Sequence, residues 1–305
     1  MFAKDPRAAW PPMAEPVPPA QQHADGRPSG RDIDVFGMSH VGLVREDNQD
    51  SYLIASLHHA LVVHDTSLDD NDPALVTSSR RGMLFLVADG VGGGAGGAEA
   101  SQSALRAAAR YVTEAMDYYA RAEPASEATF IQEMLKAVER THLLVREAGE
   151  RDGGTHGMAT TLTMVTLVWP RAHLVHVGDS RCYRWRDGTL ERLTKDQTVA
   201  QMLLDSGQMT TEEVEASRLK NVLWSALGAQ ELEPDSHATD VRRGDRMLLC
   251  TDGLNKHVSD EEIAAWMAKP ASSEVIGRGL IDLVLERGAT DNVTLIIGQM
   301  TPLTG

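Results

Sequence analysis

Four short stretches each set an aspartate beside glycine or asparagine: Phe85-Leu-Val-Ala-Asp89-Gly90, Val175-His-Val-Gly178-Asp179-Ser180-Arg181, Leu248-Leu-Cys-Thr-Asp252-Gly253 and Gly288-Ala-Thr-Asp291-Asn292. A fifth acidic cluster, Arg45-Glu46-Asp47-Asn48-Gln49-Asp50, precedes another strand-like run. One aspartate at a strand end is ordinary. Several of them, spread from Asp50 to Asp291, call for a fold that gathers carboxylates at one edge of a sheet. Gathered carboxylates repel and take up protons unless a cation sits among them. Hard divalent ions such as Mg²⁺ and Mn²⁺ take oxygen ligands of this kind. The pattern points to a metal-dependent hydrolase.

The composition agrees with a soluble enzyme. Of 305 residues, 42% are hydrophobic, enough for a sizeable core. The net charge is −15, from 44 acidic against 29 basic residues. Affinity for nucleic acid or anionic membrane rests on basic patches, so neither partner is expected. Cys182 and Cys250 each fall in a strand-like run and read as small buried apolar residues. No run approaches the ~18 apolar residues of a membrane span, and the N-terminus lacks the apolar core of a signal peptide. The location expected is cytoplasmic.

Residues 1–31 hold Pro6, Pro11, Pro12, Pro16, Pro18, Pro19 and Pro28 and show no apolar periodicity. They read as a disordered tail. From residue 32 one folded domain is expected. Strands are predicted at Ile33–Ser39, Ser51–Ser56, Ala60–Val63, Met83–Ala88, Ala159–Trp169, His173–Gly178, Arg181–Arg186, Thr189–Leu193, Arg246–Cys250 and Val293–Met300. Residues 64–82 read as a polar excursion. Helices are predicted at Ala98–Tyr119, Ala128–Ala148, Thr198–Gly207, Thr211–Ala216, Ser259–Ala268 and Ser272–Glu286. Asp187-Gly188 forms a hairpin turn, and Ser259 with Glu262 a capping box. Hairpins with helices in pairs imply antiparallel sheets with helices outside them.

Gly92-Gly93-Gly94-Ala95-Gly96-Gly97 follows a strand and opens a helix, as a dinucleotide-binding loop would. Asp89 would then repel the pyrophosphate, Asp117 lies inside a helix, and the setting is antiparallel. A phosphate loop ending in Gly-Lys-Ser/Thr is excluded because no lysine follows the glycines. The reading preferred is that Asp89 grips metal and Gly90 lets its backbone approach the ions. Arg45, in Arg-x-x-Asn-x-Asp, is either a structural ion pair or a fork for two phosphate oxygens. Thr160 and Thr161 read as structural supports of a neighbouring loop. The 11 histidines show no His-x-x-x-His spacing, which argues against a protease-type zinc site.

In this order the motifs resemble the metal-dependent protein phosphatase family, the type 2C serine/threonine phosphatases, in its bacterial form. The resemblance covers about residues 32–300. It rests on Gly42-Leu-Val-Arg45-Glu-Asp-Asn48-Gln-Asp50-Ser, Val87-Ala-Asp89-Gly90-Val-Gly92-Gly93, Gly157-Met-Ala-Thr160-Thr161, Gly178-Asp179-Ser180-Arg181, Thr194-Lys-Asp196, Cys250-Thr-Asp252-Gly253-Leu254 and Thr290-Asp291-Asn292. It implies an α+β, four-layer αββα sandwich, with two antiparallel sheets between helix pairs, over residues 32–301. Two Mn²⁺ or Mg²⁺ ions would sit at one end. Asp89 would bridge them, Gly90 would offer its carbonyl, Asp252 and Asp291 would hold the second ion, and Asp50 would act through a water. Arg45 would bind the substrate phosphate. Water between the ions would attack phosphorus in line, with no phosphoenzyme. Residues 198–225 would form a mobile flap beside the site.

Three positions depart from the family pattern. Gln49 stands where many members have glutamate, and Val91 where eukaryotic members have histidine. Lys256 stands where many bacterial members have an aspartate that holds a third ion with the counterpart of Asp179. A third ion at Asp179 is therefore not expected. The substrates implied are phosphoserine and phosphothreonine proteins, with a cognate serine/threonine kinase as partner and a monomeric chain. The alternatives are a pseudophosphatase that binds phosphoproteins or a kinase, and a phosphoesterase for small molecules.

Overall fold

The computed structural model describes residues 33–60, 78–92, 95–121, 127–151 and 158–300. The strands are β1 (Ile33–His40), β2 (Asp50–Ala60), β3 (Ser78–Val91), β4 (Ala159–Thr160), β5 (Leu162–Val168), β6 (Arg171–Val177), β7 (Arg181–Arg186), β8 (Thr189–Arg192), β9 (Asp235–Asp240), β10 (Arg246–Cys250) and β11 (Val293–Met300). The helices are α1 (Ala95–Arg121), α2 (Glu127–Arg151), α3 (Val199–Asp205), α4 (Thr211–Ala216), α5 (Asp252–Asn255), α6 (Asp260–Met267) and α7 (Ser273–Glu286). One antiparallel sheet runs β1-β11-β10-β7-β8, the other β2-β3-β5-β6-β9 with β4 beside β3.

The four-layer sandwich expected from the family resemblance is what forms, and the period of two explains its layers. On β3, Met83, Phe85 and Val87 point inward to Val165, Leu174, Met247, Leu249 and Ile296, so the two sheets share one core. The alternate residues Leu84, Leu86 and Ala88 face outward onto Ala104, Ala108 and Val112 of α1 and Phe130 and Met134 of α2. On the opposite side Leu248, Leu295 and Ile297 pack under Ile276, Leu280 and Val284 of α7. A strand covered on both faces must be apolar throughout, which is why Met83–Ala88 reads as an unbroken run. Phe85 is wholly buried between the sheets, so truncating it to alanine should cost about 3–5 kcal/mol.

The cysteines stay reduced for a geometric reason. Cys182 faces the inter-sheet core and Cys250 the helix-side core, on opposite faces of one sheet. Asp187 and Gly188, at φ of 50° and 84°, form the predicted hairpin turn between β7 and β8. Ser259 and Glu262 form the predicted capping box on α6.

Some boundaries move. β2 is one strand to Ala60, where two were expected; residues 61–63 lie outside the described residues, as do 1–31 and 64–77 of the predicted tail and excursion. β3 begins at Ser78, inside the predicted excursion. The strand expected over Ala159–Trp169 breaks at Thr161, whose backbone N–H turns aside to the Asp89 carbonyl at 2.9 Å. β9, α5 and a 3₁₀ turn at Arg218–Asn221 were not anticipated.

Candidate metal centre

The sheets bring five aspartates to one edge of the sandwich. Asp50 opens β2 and stands directly across from Asp89, near the end of β3. Asp179 sits in the turn between β6 and β7, Asp252 opens α5 just past β10, and Asp291 precedes β11. A cavity of about 850 Å³ is lined by Asp89, Asp179, Asp252 and Asp291 together with Arg45, Gly90 and Lys256. Asp50 is buried beside Asp89, its cross-strand partner.

Local chemistry fixes each carboxylate. Gly90 is held against the preceding loop by its N–H, which donates to the Gln49 carbonyl at 3.1 Å. A Cβ on Gly90 would collide with the Gly97 and Gln49 carbonyls, so only glycine fits. Gly253 has the same constraint against the Asn292 carbonyl, which lets the Asp252 and Asp291 loops approach. The Thr161 hydroxyl accepts from the Asp89 N–H at 2.9 Å, and the Thr160 hydroxyl donates to the Asp89 carbonyl at 2.8 Å. Both threonines therefore support the loop, as expected. Gly157 of the same motif lies outside the described residues.

Asn292 ties the Arg45 loop down. Its amide donates to the carbonyls of Val41 at 2.8 Å and Asp47 at 2.9 Å, and accepts from the Gln49 N–H at 2.9 Å. Thr251, not singled out from sequence, donates its hydroxyl to Asp50 Oδ2 at 2.8 Å. Its only sequence signal is its place immediately before Asp252. The Gln49 side chain reaches the Gly92 carbonyl at 3.3 Å.

Electrostatics follow from crowding in a dry site. Burial pushes the Asp50 carboxyl up to about 7, the Thr251 hydrogen bond only partly opposing it. Asp89 is raised well above the usual range by burial and by Asp50. Asp179 is raised likewise, by burial and then by Asp252. Burial also raises Asp252, against the pull of Lys256. Burial would raise Asp291 too, but Lys256 and Arg45 hold it below its ordinary value.

Lys256 and Arg45 both pair with carboxylates of the cavity. Lys256 Nζ lies 2.6 Å from both Asp252 Oδ2 and Asp291 Oδ2, bridging the pair. Burial alone would lower its pKa, yet these carboxylates raise it. Arg45 also grips Asp291, through Nε to Oδ1 at 2.8 Å and Nη2 to Oδ2 at 3.0 Å. Arg181 is committed to Asp196, with Nη2 at 2.6 Å from Oδ2.

The residues fit hard divalent ions. The donors are carboxylate oxygens with the Gly90 carbonyl nearby, and two carboxylate oxygens, Asp50 Oδ1 and Asp252 Oδ1, are buried without a hydrogen-bond partner. In the arrangement seen, no three Asp, Glu, His or Cys groups among the described residues converge on one point. One oxygen each of Asp252 and Asp291 is engaged by Lys256.

Residues 198–225 cover one side of this site. Their ends meet where the Val199 N–H donates to the Val222 carbonyl at 2.8 Å, and Lys220, Asn221, Val222 and Leu223 line the cavity.

A sequence profile described as protein phosphatase 2C matches residues 64–276. The chain belongs to this family. It is 36% identical over 231 residues to the serine/threonine protein phosphatase PstP of Mycobacterium tuberculosis, across 76% of this chain but 42% of that protein. The chain thus spans less than half the length of that relative. It is 29% identical over 216 residues to the serine/threonine phosphatase Stp of Listeria monocytogenes, covering 83% of it. Its fold matches the crystal structure of the M. tuberculosis PstP phosphatase with a TM-score of 0.70 at 32% identity, over 88% of this chain and 99% of that one. It also matches the PstP catalytic domain in complex with two manganese ions, with a TM-score of 0.66 at 33% identity, over 88% and 97%. In this protein phosphatase 2C member Asp50, Asp89, Asp179, Asp252 and Asp291 lie at one edge of the sandwich. No helix among its described residues is long and apolar enough to cross a membrane.

Proposed function

We propose that the chain is a protein serine/threonine phosphatase that uses Mn²⁺ or Mg²⁺ to hydrolyse phosphoserine and phosphothreonine by direct attack of water. The observation that carries this is the gathering of Asp50, Asp89, Asp179, Asp252 and Asp291 at one sheet edge, two with buried unpartnered oxygens. The manganese-bound relative supports the choice of ion. The catalytic unit is residues 32–301, with 198–225 as the flap that selects substrate. The substrates are phosphoproteins made by a serine/threonine kinase, and the chain acts as a monomer.

Asp89, central among the carboxylates, is assigned to both ions. The Gly90 carbonyl would serve one side, with Asp50 acting through a water, and Asp252 and Asp291 would serve the other. Bound there, the ions would offset the carboxylate charge, polarise phosphate and acidify water. The chain's own residues do the rest. Thr251 and the cross-strand pairing hold Asp50 beside Asp89. Arg45, half exposed beside the cavity, presents a planar fork suited to two phosphate oxygens. The described residues lining the cavity include neither histidine nor cysteine. A binding-only pseudophosphatase would have no need of so costly a cluster of buried carboxylates.

The test is hydrolysis of p-nitrophenyl phosphate by protein freed of metal. Activity should appear only with added Mn²⁺ or Mg²⁺. Full activity in excess chelator would sink the assignment.

A further inference from the structure

The position of Lys256 carries a consequence for how the site fills, and it rests on the two-ion reading above. We propose that Lys256 is a tethered cation occupying the charge position of the second ion, and that ion binding there displaces it and at the same time frees Arg45 for phosphate.

The geometry supplies each part. The ammonium spans the two carboxylates assigned to the second ion, 2.6 Å from an oxygen of each. An ion and an ammonium cannot share those oxygens, since both are positive and the site is partly dry. Asp291 is fully subscribed: Oδ1 accepts from Arg45 Nε at 2.8 Å and the Asn292 N–H at 3.0 Å, and Oδ2 from Lys256 at 2.6 Å and Arg45 Nη2 at 3.0 Å. Asp252 is half used, its Oδ1 buried and unpartnered.

The lysine also has somewhere to go. It caps α5, with its backbone N–H on the Asp252 carbonyl at 2.9 Å, so its base is fixed while its four-carbon stem can swing. It lines a second cavity of about 540 Å³ whose walls carry Asp179, Asp196, Asp260 and Glu261. Asp196 is already paired with Arg181, so Asp179, which the lysine's charge already stabilises, is the carboxylate that can receive the displaced ammonium.

The two ions should therefore bind unequally. Among the described residues no lysine bridges the Asp50–Asp89 side, which fills first. The Asp252–Asp291 side fills second, against the internal competitor. An ion on Asp291 also replaces Arg45, which links second-ion binding to phosphate binding in the positive sense.

The test is a Mn²⁺ titration of metal-free protein at pH 7.5, followed by calorimetry and by the electron paramagnetic resonance signal of free Mn²⁺. The wild-type chain should bind two ions in separated steps. Lys256→Met should tighten the weaker step at least about tenfold and leave the tighter one within about threefold. Two ions bound with an unchanged weaker step in Lys256→Met would overturn the lysine proposal and leave the two-ion reading standing. Failure of both proteins to bind two ions would overturn that reading and the proposal with it. A crystal of the wild-type chain grown with Mn²⁺ decides the matter without a variant. The ammonium should have left both aspartates; two manganese peaks with Nζ still bridging them would refute it.

Discussion

Stripping divalent ions should make this fold lose stability as the pH rises from about 5 to 8, the reverse of an ordinary acid-sensitive protein. Asp50 carries the argument. Its carboxyl is pushed up to about 7 in the metal-free fold, against 3.8 when exposed. Between those values the folded chain holds a proton that the unfolded chain has released. Stability then falls with rising pH, at about 1.4 kcal/mol per pH unit for one group. The contribution is complete below the unfolded value and lost as the pH passes the folded one. Across the roughly two pH units from 5 to the folded value Asp50 alone is worth about 3 kcal/mol. Asp89 and Asp179, also raised, act in the same direction. Asp291 is held low, so its contribution is already present throughout this window and does not oppose the trend. For a domain of this size 1 kcal/mol moves the Tm by about 2–4 °C, which gives a fall of about 10 °C. Scanning calorimetry on metal-free protein at several pH values measures it. Saturating Mn²⁺ should abolish the fall, because the ion favours the ionised carboxylates. Asp50→Asn should make the metal-free profile shallower, leaving the part due to Asp89 and Asp179. A metal-free Tm that stays level or climbs from pH 5 to 8 would refute the reasoning.

Five substitutions probe the rest of the site. Asp89→Ala, Asp252→Ala and Asp291→Ala should each lower kcat by at least about a hundredfold, and pairs should lose little more, since one missing ion already disables the centre; near wild-type turnover of Asp252→Ala at saturating Mn²⁺ would show that the second ion is misplaced. Arg45→Ala should cost about 1.5–3 kcal/mol, or roughly 10- to 100-fold in kcat/KM on a phosphopeptide and mainly through KM; unchanged kinetics would return Arg45 to an ion pair with Asp291. Thr251→Val removes the hydroxyl that steadies Asp50 Oδ2, and should weaken metal affinity about tenfold, read by Mn²⁺ titration; equal affinity would make that hydrogen bond incidental.

The sandwich was legible because its strongest signals are local. The unbroken run Met83–Ala88 marks a strand covered on both sides, and aspartates just beyond such runs mark one sheet edge. What escaped depends on distance or brevity. β9, Asp235–Asp240, is a polar edge strand paired on one side to β6, so neither propensity nor alternation announces it. α5 is a single turn, too short for a helical period. Thr251 earns its role only when β10 lies near the start of β2. Lys256 was expected near the Asp179 end of the site. Its place between Asp252 and Asp291 depends on a loop 35 residues away folding back onto α5. The bridging by the lysine and the subscription of Asp291 are properties of the assembled edge, and no window of sequence contains them.

The central claim is a metal-dependent phosphatase acting on phosphorylated side chains. The most direct test is release of inorganic phosphate from a phosphothreonine peptide by the purified, metal-free chain, before and after Mn²⁺ is added. The account predicts no release without the ion, multiple turnovers with it, and loss again in Asp89→Ala. Equal phosphate release with and without Mn²⁺, or none under either condition by a folded protein that has bound two ions, would contradict it.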